Sequence, residues 1–341
     1  MNTRKVQQVS SGTYTVSIPA AWAREHELEP GTTVHCYTHL DGSLVFRREE
    51  SNRKELDTVR VKLHEKDPTV SERVLRAAYT AGFSRIELYV ADGFTTDQQR
   101  SISSVVRGLR GVEIAEESDS EIVVVGLLNT NEILIQGTLQ QLQFTVLSIT
   151  EEVISVLSGK PVDKTEPYER ERESYQLSQL VTRSFNRSFS DPKESDQLDK
   201  QWFQMFGYYT TARQLSQVAD RMLQIAVTVD EVENELRGEL ATEVCSIARD
   251  VRQAIECSSE SLLSDNSVKA AHTALDQHDR VIERAGRVDI AGASETPVEA
   301  HVLTRVVDNL VRATECCGTM ATMALHNTFF ERENELKPEP R

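Results

Sequence analysis

Residues able to do chemistry are sparse in this chain of 341 residues, and their spacing argues against catalysis. His35-Cys36-x-x-His39 offers soft ligands of the kind zinc accepts. On a strand, however, His35 and Cys36 point to opposite faces, and no second ligand pair follows. Asp276, His278 and Asp279 gather in one helical stretch, but positions i and i+2 do not share a helical face. The five cysteines (Cys36, Cys245, Cys257, Cys316 and Cys317) lack CxxC spacing and are odd in number. That pattern suits small buried hydrophobes in a reducing compartment rather than a disulfide framework. Neither GxSxG nor HExxH occurs, and no GxGxxG or GxxxxGKS/T loop is present to cradle a phosphate. The chain reads as a protein without catalytic residues, resident cofactor or metal.

Charge says more than composition. Asp and Glu outnumber Lys and Arg by 54 to 38, for a net charge of −16, and only ten of the 38 bases are lysine. Such a surface stays soluble where salt screens ordinary repulsion, which fits a salt-rich cytoplasm. A net charge of that sign opposes nucleic acid binding, but its distribution does not. Residues 1–48 hold five basic and four acidic side chains, and the first 24 carry Arg4, Lys5 and Arg24 with no acid. No apolar run reaches the length of a membrane span. The opening MNTRKVQQVS lacks an apolar signal core, so a cytoplasmic protein is expected.

The elements that must position these residues fall into distinct textures. Residues 1–50 read as a small β-rich unit. Strands are expected at 6–9 and 13–18, a helix at 20–27 behind Pro19, and strands at 33–39 and 43–48 joined by Asp41-Gly42. Residues 51–133 alternate strands and helices. The helix opened by Pro68 carries an apolar stripe of Val70, Val74, Ala77, Ala78 and Ala81 and ends at Gly82. Another helix spans 95–109, and strands are expected at 56–63, 86–90, 112–115 and 122–128. From Gly137 to Phe330 nearly everything is helical. Leu139, Leu142, Val146, Ile149, Val153 and Val156 step by three and four, as do Val302, Val306, Leu310, Ala313, Cys317, Met320 and Ala324. Between them lie helices at about 166–188, 196–230, 234–264 and 267–287. Domain boundaries are expected at 134–232, 233–331 and a disordered tail over 332–341.

Those six helices read as three repeated twice. Val146-Leu-Ser148-Ile149-Thr-Glu-Glu152-Val153 recurs as Val244-Cys-Ser246-Ile247-Ala-Arg-Asp250-Val251, at a shift of 98. The third and sixth helices align at a shift of 92, which sets Arg213 on Arg305. Two tandem three-helix bundles follow. The aromatic run Trp202, Phe203, Met205, Phe206, Tyr208, Tyr209 reads as helix core and packing surface.

The first segment, RKVQQVSSGTYTVSIPAAWAREHELEPGTTVHCYTHLDGSLVFRR, resembles the swapped-hairpin DNA-binding domains of the SpoVT/AbrB class. The likeness lies in strand–Gly12–strand–Ile18-Pro19, the helix with Trp22 and Arg24, Leu28-x-Pro30-Gly31, and a hairpin ending in Arg47-Arg48. It implies a homodimeric swapped-hairpin β-barrel, with Arg4, Lys5 and Arg24 toward DNA. Glu25, Glu27 and Glu29 follow Arg24, so a dimerisation role alone is also open.

The C-terminal half resembles the PhoU phosphate-uptake regulators. Their third helices carry an Arg, a Glu three residues on and an Asp four beyond. Here the copies are Arg213…Ser216…Asp220 and Arg305…Asp308…Arg312. Ser216 and Arg312 depart from the acidic pairs, which favours a polar cluster of Arg213, Asp220, Arg305, Asp308 and Arg312 over a metal site. The combined expectation is a multidomain α+β protein: swapped-hairpin barrel, small α/β layer, tandem three-helix bundles. As implied by resemblance, it regulates phosphate uptake as a dimeric DNA-binding or adaptor protein, with phosphate transporter or signalling components as partners. The alternative is a metal-binding helical-bundle protein or enzyme whose head serves only for dimerisation.

Overall fold

The computed structural model describes residues 3–10, 12–38, 44–47, 58–127, 135–160, 165–190, 202–230, 238–263, 267–294 and 296–335. His39, the Asp41-Gly42 turn, Arg48 and the helical stretches expected at 196–201 and 234–237 lie outside these residues. The chain divides into two compact units, Met1–Glu55 and Leu56–Arg341. The whole is mixed α and β, and mostly helical.

The N-terminal unit contains two separate antiparallel hairpins. Strands β1 (Gln7–Ser10) and β2 (Thr13–Thr15) pair around Gly12, which takes a φ of 133° that favours glycine. Helix α1 (Ala20–Glu25) starts behind Pro19 and is shorter than the expected 20–27, because Glu27 turns to a φ of 50°. Strands β3 (His35–Thr38) and β4 (Leu44–Arg47) form the second hairpin. No barrel closes among the described residues.

In the second unit, β5 (Thr58–Lys62), β6 (Arg85–Tyr89), β7 (Val112–Glu117) and β8 (Glu121–Gly126) make one sheet in the order β5-β6-β8-β7. Only β5 and β6 are parallel, joined by helix α2 (Pro68–Ala81). Asp67 caps α2 by accepting from the Thr69 amide at 2.9 Å, and left-handed Gly82 ends it. The buried face of α2 is Ser71, Leu75, Ala78 and Tyr79, rotated from the expected stripe, in which Ala77 is exposed. Leu75 and Tyr79 reach the sheet, so the larger side chains set the helix's roll. Helix α3 (Thr96–Arg107) begins with a capping box between Thr95 and Gln98. Ile86, Leu88, Ile122 and Val124 meet Leu75, Tyr79, Ile102 and Val105 in a self-contained core. On the sheet's other face Arg85 bridges Glu87 and Glu116, and the Arg60 guanidinium sits 4.9 Å from the Tyr89 ring centre. Strand β7 is longer than expected and is an edge, with a bulge between Ile114 and Glu116 and exposed acids along it, features that discourage pairing with another chain.

Six long helices follow: α4 (Ile135–Leu157), α5 (Glu166–Ser190), α6 (Trp202–Asp230), α7 (Glu239–Leu263), α8 (Ser267–Arg287) and, beyond short α9 (Ile290–Ala293), α10 (Pro297–Glu335). Helices α4, α5 and α6 pack together, as do α7, α8 and α10. The two sets are not separate globules. Helices α6 and α10 lie along each other, α4 meets α7, and one apolar cluster runs from Ile135 to Met320. The expected stripes of α4 and α10 line it, save that Val156 is only partly buried and Ala324 joins a small separate cluster with Ala271, Ala274 and Ala321. Helix α10 continues to Glu335, through the first four residues of the stretch expected to be disordered; 336–341 lie outside the described residues.

Candidate functional site

The N-terminal unit leaves apolar side chains of its first hairpin in solvent. Val6, Val9, Tyr14, Val16, Ile18 and Leu44 are all exposed. Short strands alternate their side chains across two faces, so a single hairpin leaves both faces wet. Arg4 and Lys5 precede β1 and are exposed; Arg4 donates to the neighbouring Thr3 carbonyl at 3.1 Å. Arg24 is exposed on α1, where its Nε donates to the Ala20 carbonyl at 3.3 Å. The three cations therefore lie in one unit, together with a set of uncovered apolar side chains.

The five polar positions of the bundles are carried by α6 and α10. Arg213 is exposed on α6, and Asp220 lies 3.7 Å from the neighbouring Arg221 instead. Asp308 and Arg312 are both exposed on α10, and no ion pair joins them although they stand one turn apart. Solvated charges at that spacing gain little from pairing and lose side-chain entropy by it. Arg305 is half-buried, and its carbonyl accepts from Asn309 at 2.9 Å.

Charge is instead organised between helices of a hairpin, at corresponding places in the repeat. In the first bundle Arg170 of α5 donates to Glu152 of α4 at 2.5 Å. In the second, Arg284 of α8 bonds Asp250 of α7, together with Glu243 at 2.7 Å and Ser246 at 3.1 Å. Glu152 and Asp250 are the residues that align at the shift of 98. Burial, opposed by Arg170, holds the Glu152 carboxyl above its ordinary range. Burial and then the nearby Asp220 do the same for Glu171. The Arg170–Glu152 and Arg284–Asp250 pairs tie the two helices of each hairpin together.

Among the described residues no three His, Cys, Asp or Glu side chains gather as metal ligands. His278 Nδ1 lies 3.0 Å from Asp279 Oδ1, and its ring packs on α10, where a Cβ on Gly318 would sit 3.0 Å away. Burial pushes the Cys316 thiol up to about 11 and Cys317 to about 12, so neither yields a thiolate near neutrality. Cys36 alone of the five is exposed.

One polar constellation escaped the sequence reading. Three side chains of α5 converge on the end of α2. Arg183 donates to the Tyr79 carbonyl at 2.7 Å and the Phe83 carbonyl at 2.8 Å, and stacks 4.9 Å from the Tyr79 ring centre. Asn186 donates to the Thr80 carbonyl at 2.8 Å, and Arg187 to the Gly82 carbonyl at 2.9 Å and to Ser84 Oγ at 2.8 Å. Further along α5, Arg110 of the α/β layer bonds Glu173 at 3.0 Å beside an open cleft of about 420 Å³. Arg170, Arg172, Glu166, Glu169 and Gln176 complete its lining. The spacing 183-186-187 is a signal, since it sets three donors on one helical face. Its acceptors are backbone carbonyls, which sequence does not mark. No family model matches the chain, and no curated protein or solved structure matches it either.

Proposed function

We propose that this protein is a dimeric, cytoplasmic, DNA-binding or adaptor regulator of phosphate uptake. In this reading residues 1–50 of two chains interleave into one swapped-hairpin barrel, and the helical half engages a phosphate transporter or signalling component. The reading rests on the resemblance of the head to the SpoVT/AbrB class and of the bundles to PhoU regulators. The observation that carries it is the exposure of Val6, Val9, Tyr14, Val16, Ile18 and Leu44 in the unit that also exposes Arg4, Lys5 and Arg24. A unit this small does not bury enough surface alone, and a second copy would both cover the apolar residues and double the cations. The absence of any acid before residue 25 keeps that end positive in a chain of net charge −16. Among the described residues no helix is long and apolar enough to cross a membrane. The role assigned here involves no catalytic step.

The test is genome-wide crosslinking of the tagged protein in phosphate-replete and phosphate-starved cells, repeated with Arg4→Glu/Lys5→Glu. Discrete promoters near phosphate-transport genes, lost in the charge-reversed protein while it remains dimeric, are expected. Six phosphate contacts per dimer would give log affinity a slope of about −5 against log salt. Promoter retention unchanged by the charge reversal would remove the DNA-binding assignment. An occupancy map indifferent to phosphate would remove the regulatory one.

A further inference from the structure

We propose that the α/β layer is a detachable module, held to the first bundle by a clasp of Arg183, Asn186 and Arg187 on the C-terminal end of α2. This goes beyond the reading above, which gives the layer no task. Two observations lead to it. The layer's apolar core, between Leu63 and Val124, and the helical core, between Ile135 and Met320, are separate clusters with no shared residue. The principal helix-to-helix contact between them is α2 on α5. Leu180 is buried there on the same stripe as Arg183, Ser184 and Arg187, yet belongs to neither core.

The chemistry of the seam suits making and breaking. The last carbonyls of a helix have no partner within the helix and carry the negative end of its dipole. Arg183 and Arg187 bring two guanidinium groups to that end, and Asn186 takes the carbonyl between them. Such bonds are short and directional, so a shift of about one side-chain length breaks all of them together, and water then serves both partners. Arg183 is only 8% exposed, so its bonds open only when the layer moves as a body. Polar interfaces of this kind between domains permit relative motion unless a large apolar area locks them. Docked and released are then two discrete arrangements, and a ligand or partner favouring one of them moves the equilibrium by its difference in affinity. The Arg110–Glu173 bond and the Arg76 guanidinium, 5.6 Å from the Tyr175 ring centre, align the docked state further along α5.

The test is hydrogen exchange on the full chain, comparing wild type with Asn186→Ala/Arg187→Ala. Exchange in peptides covering 76–84 and 176–187 is expected to quicken about tenfold or more, as local opening of a weakened unit does. Peptides covering 142–153 and 306–320 should hold their wild-type rates. Unchanged exchange over 76–84 would overturn the clasp. An equal rise through all four segments would overturn detachability, since layer and bundle would then open as one body. Arg183→Met, which keeps an apolar stem in the seam, provides a second variant with the same expected pattern.

Discussion

The uncovered apolar side chains of the head make a quantitative demand. Val9 is 68% exposed in the single chain. Burying a valine-sized side chain completely is worth about 1.5–3 kcal/mol, so roughly 1–2 kcal/mol is still to be gained at this residue when a partner covers it. A symmetric dimer gains it twice, about 2–4 kcal/mol, and at 1.4 kcal/mol per tenfold this is roughly 30- to 700-fold in dissociation constant. Val9→Ser removes most of that gain and leaves the strand's hydrogen bonds in place. Sedimentation velocity of the full chain, over a concentration series from nanomolar to high micromolar, measures the shift. Phe144→Ser is the control, because Phe144 is as exposed, at 70%, but lies on α4 outside the head. A shift of less than about threefold for Val9→Ser, or an equal shift for the control, would refute the argument that the head completes its core with a second copy.

Two further outcomes follow from the helical half. Glu171 is held above the ordinary carboxylate range by burial and Asp220, so the folded state binds its proton more tightly than the unfolded state does. Stability from this group is therefore present at low pH and is lost as pH rises through the raised value. Glu171→Gln should stabilise the protein at pH 7 by less than about 1 kcal/mol, the side chain being partly solvated, and the gain should vanish below the ordinary carboxylate range. Thermal unfolding from pH 3 to 8 reads both, and a loss of stability at pH 7 would contradict it. Gly207 on α6 faces α10 so closely that a Cβ would sit 2.5 Å from Asn327 Nδ2 and 3.2 Å from Leu262 Cδ2. Gly207→Ala should cost about 1–3 kcal/mol by overpacking, relieved by Asn327→Ala in the same chain; denaturant titration that shows a gain for the single variant would count against close packing there.

What sequence made legible was the periodic part. Leu139, Leu142, Val146, Ile149 and Val153 line the core as their spacing predicts, because a long helix with one apolar stripe has a single way to bury it. Pro68 and Gly82 bound α2 for equally local reasons. The roll of α2 was not legible, since Tyr79 and Leu75 win the inner face by size over alanines of the same periodicity. Strand β7 runs to Glu117, where acidic residues hide an edge whose outward side chains stay in water. Asp308 and Arg312 have the spacing of a pair and remain apart, because spacing fixes which side chains can meet and solvent decides whether they do. The clasp on α2 was invisible in a stronger sense: its acceptors are carbonyls that every residue carries, so only the packing of distant segments singles them out.

The interior shared by α6 and α10 bears on how a repeated chain can diverge. Gly207 meets Asn327, and Cys316 donates to Gln217 across the same seam, so the two helices run in opposite directions with each half closing the other. Neither half then has a complete inner surface when severed near residue 233, and each should expose its apolar seam. Substitutions along the seam must be matched by the other half, one for one. Positions outside it, such as Ser216 against Asp308 or Asp220 against Arg312, are released from that bond. Ser216 and Asp220 are half-buried where Asp308 and Arg312 are exposed, so the two halves tolerate different side chains at matching places while the seam constrains both.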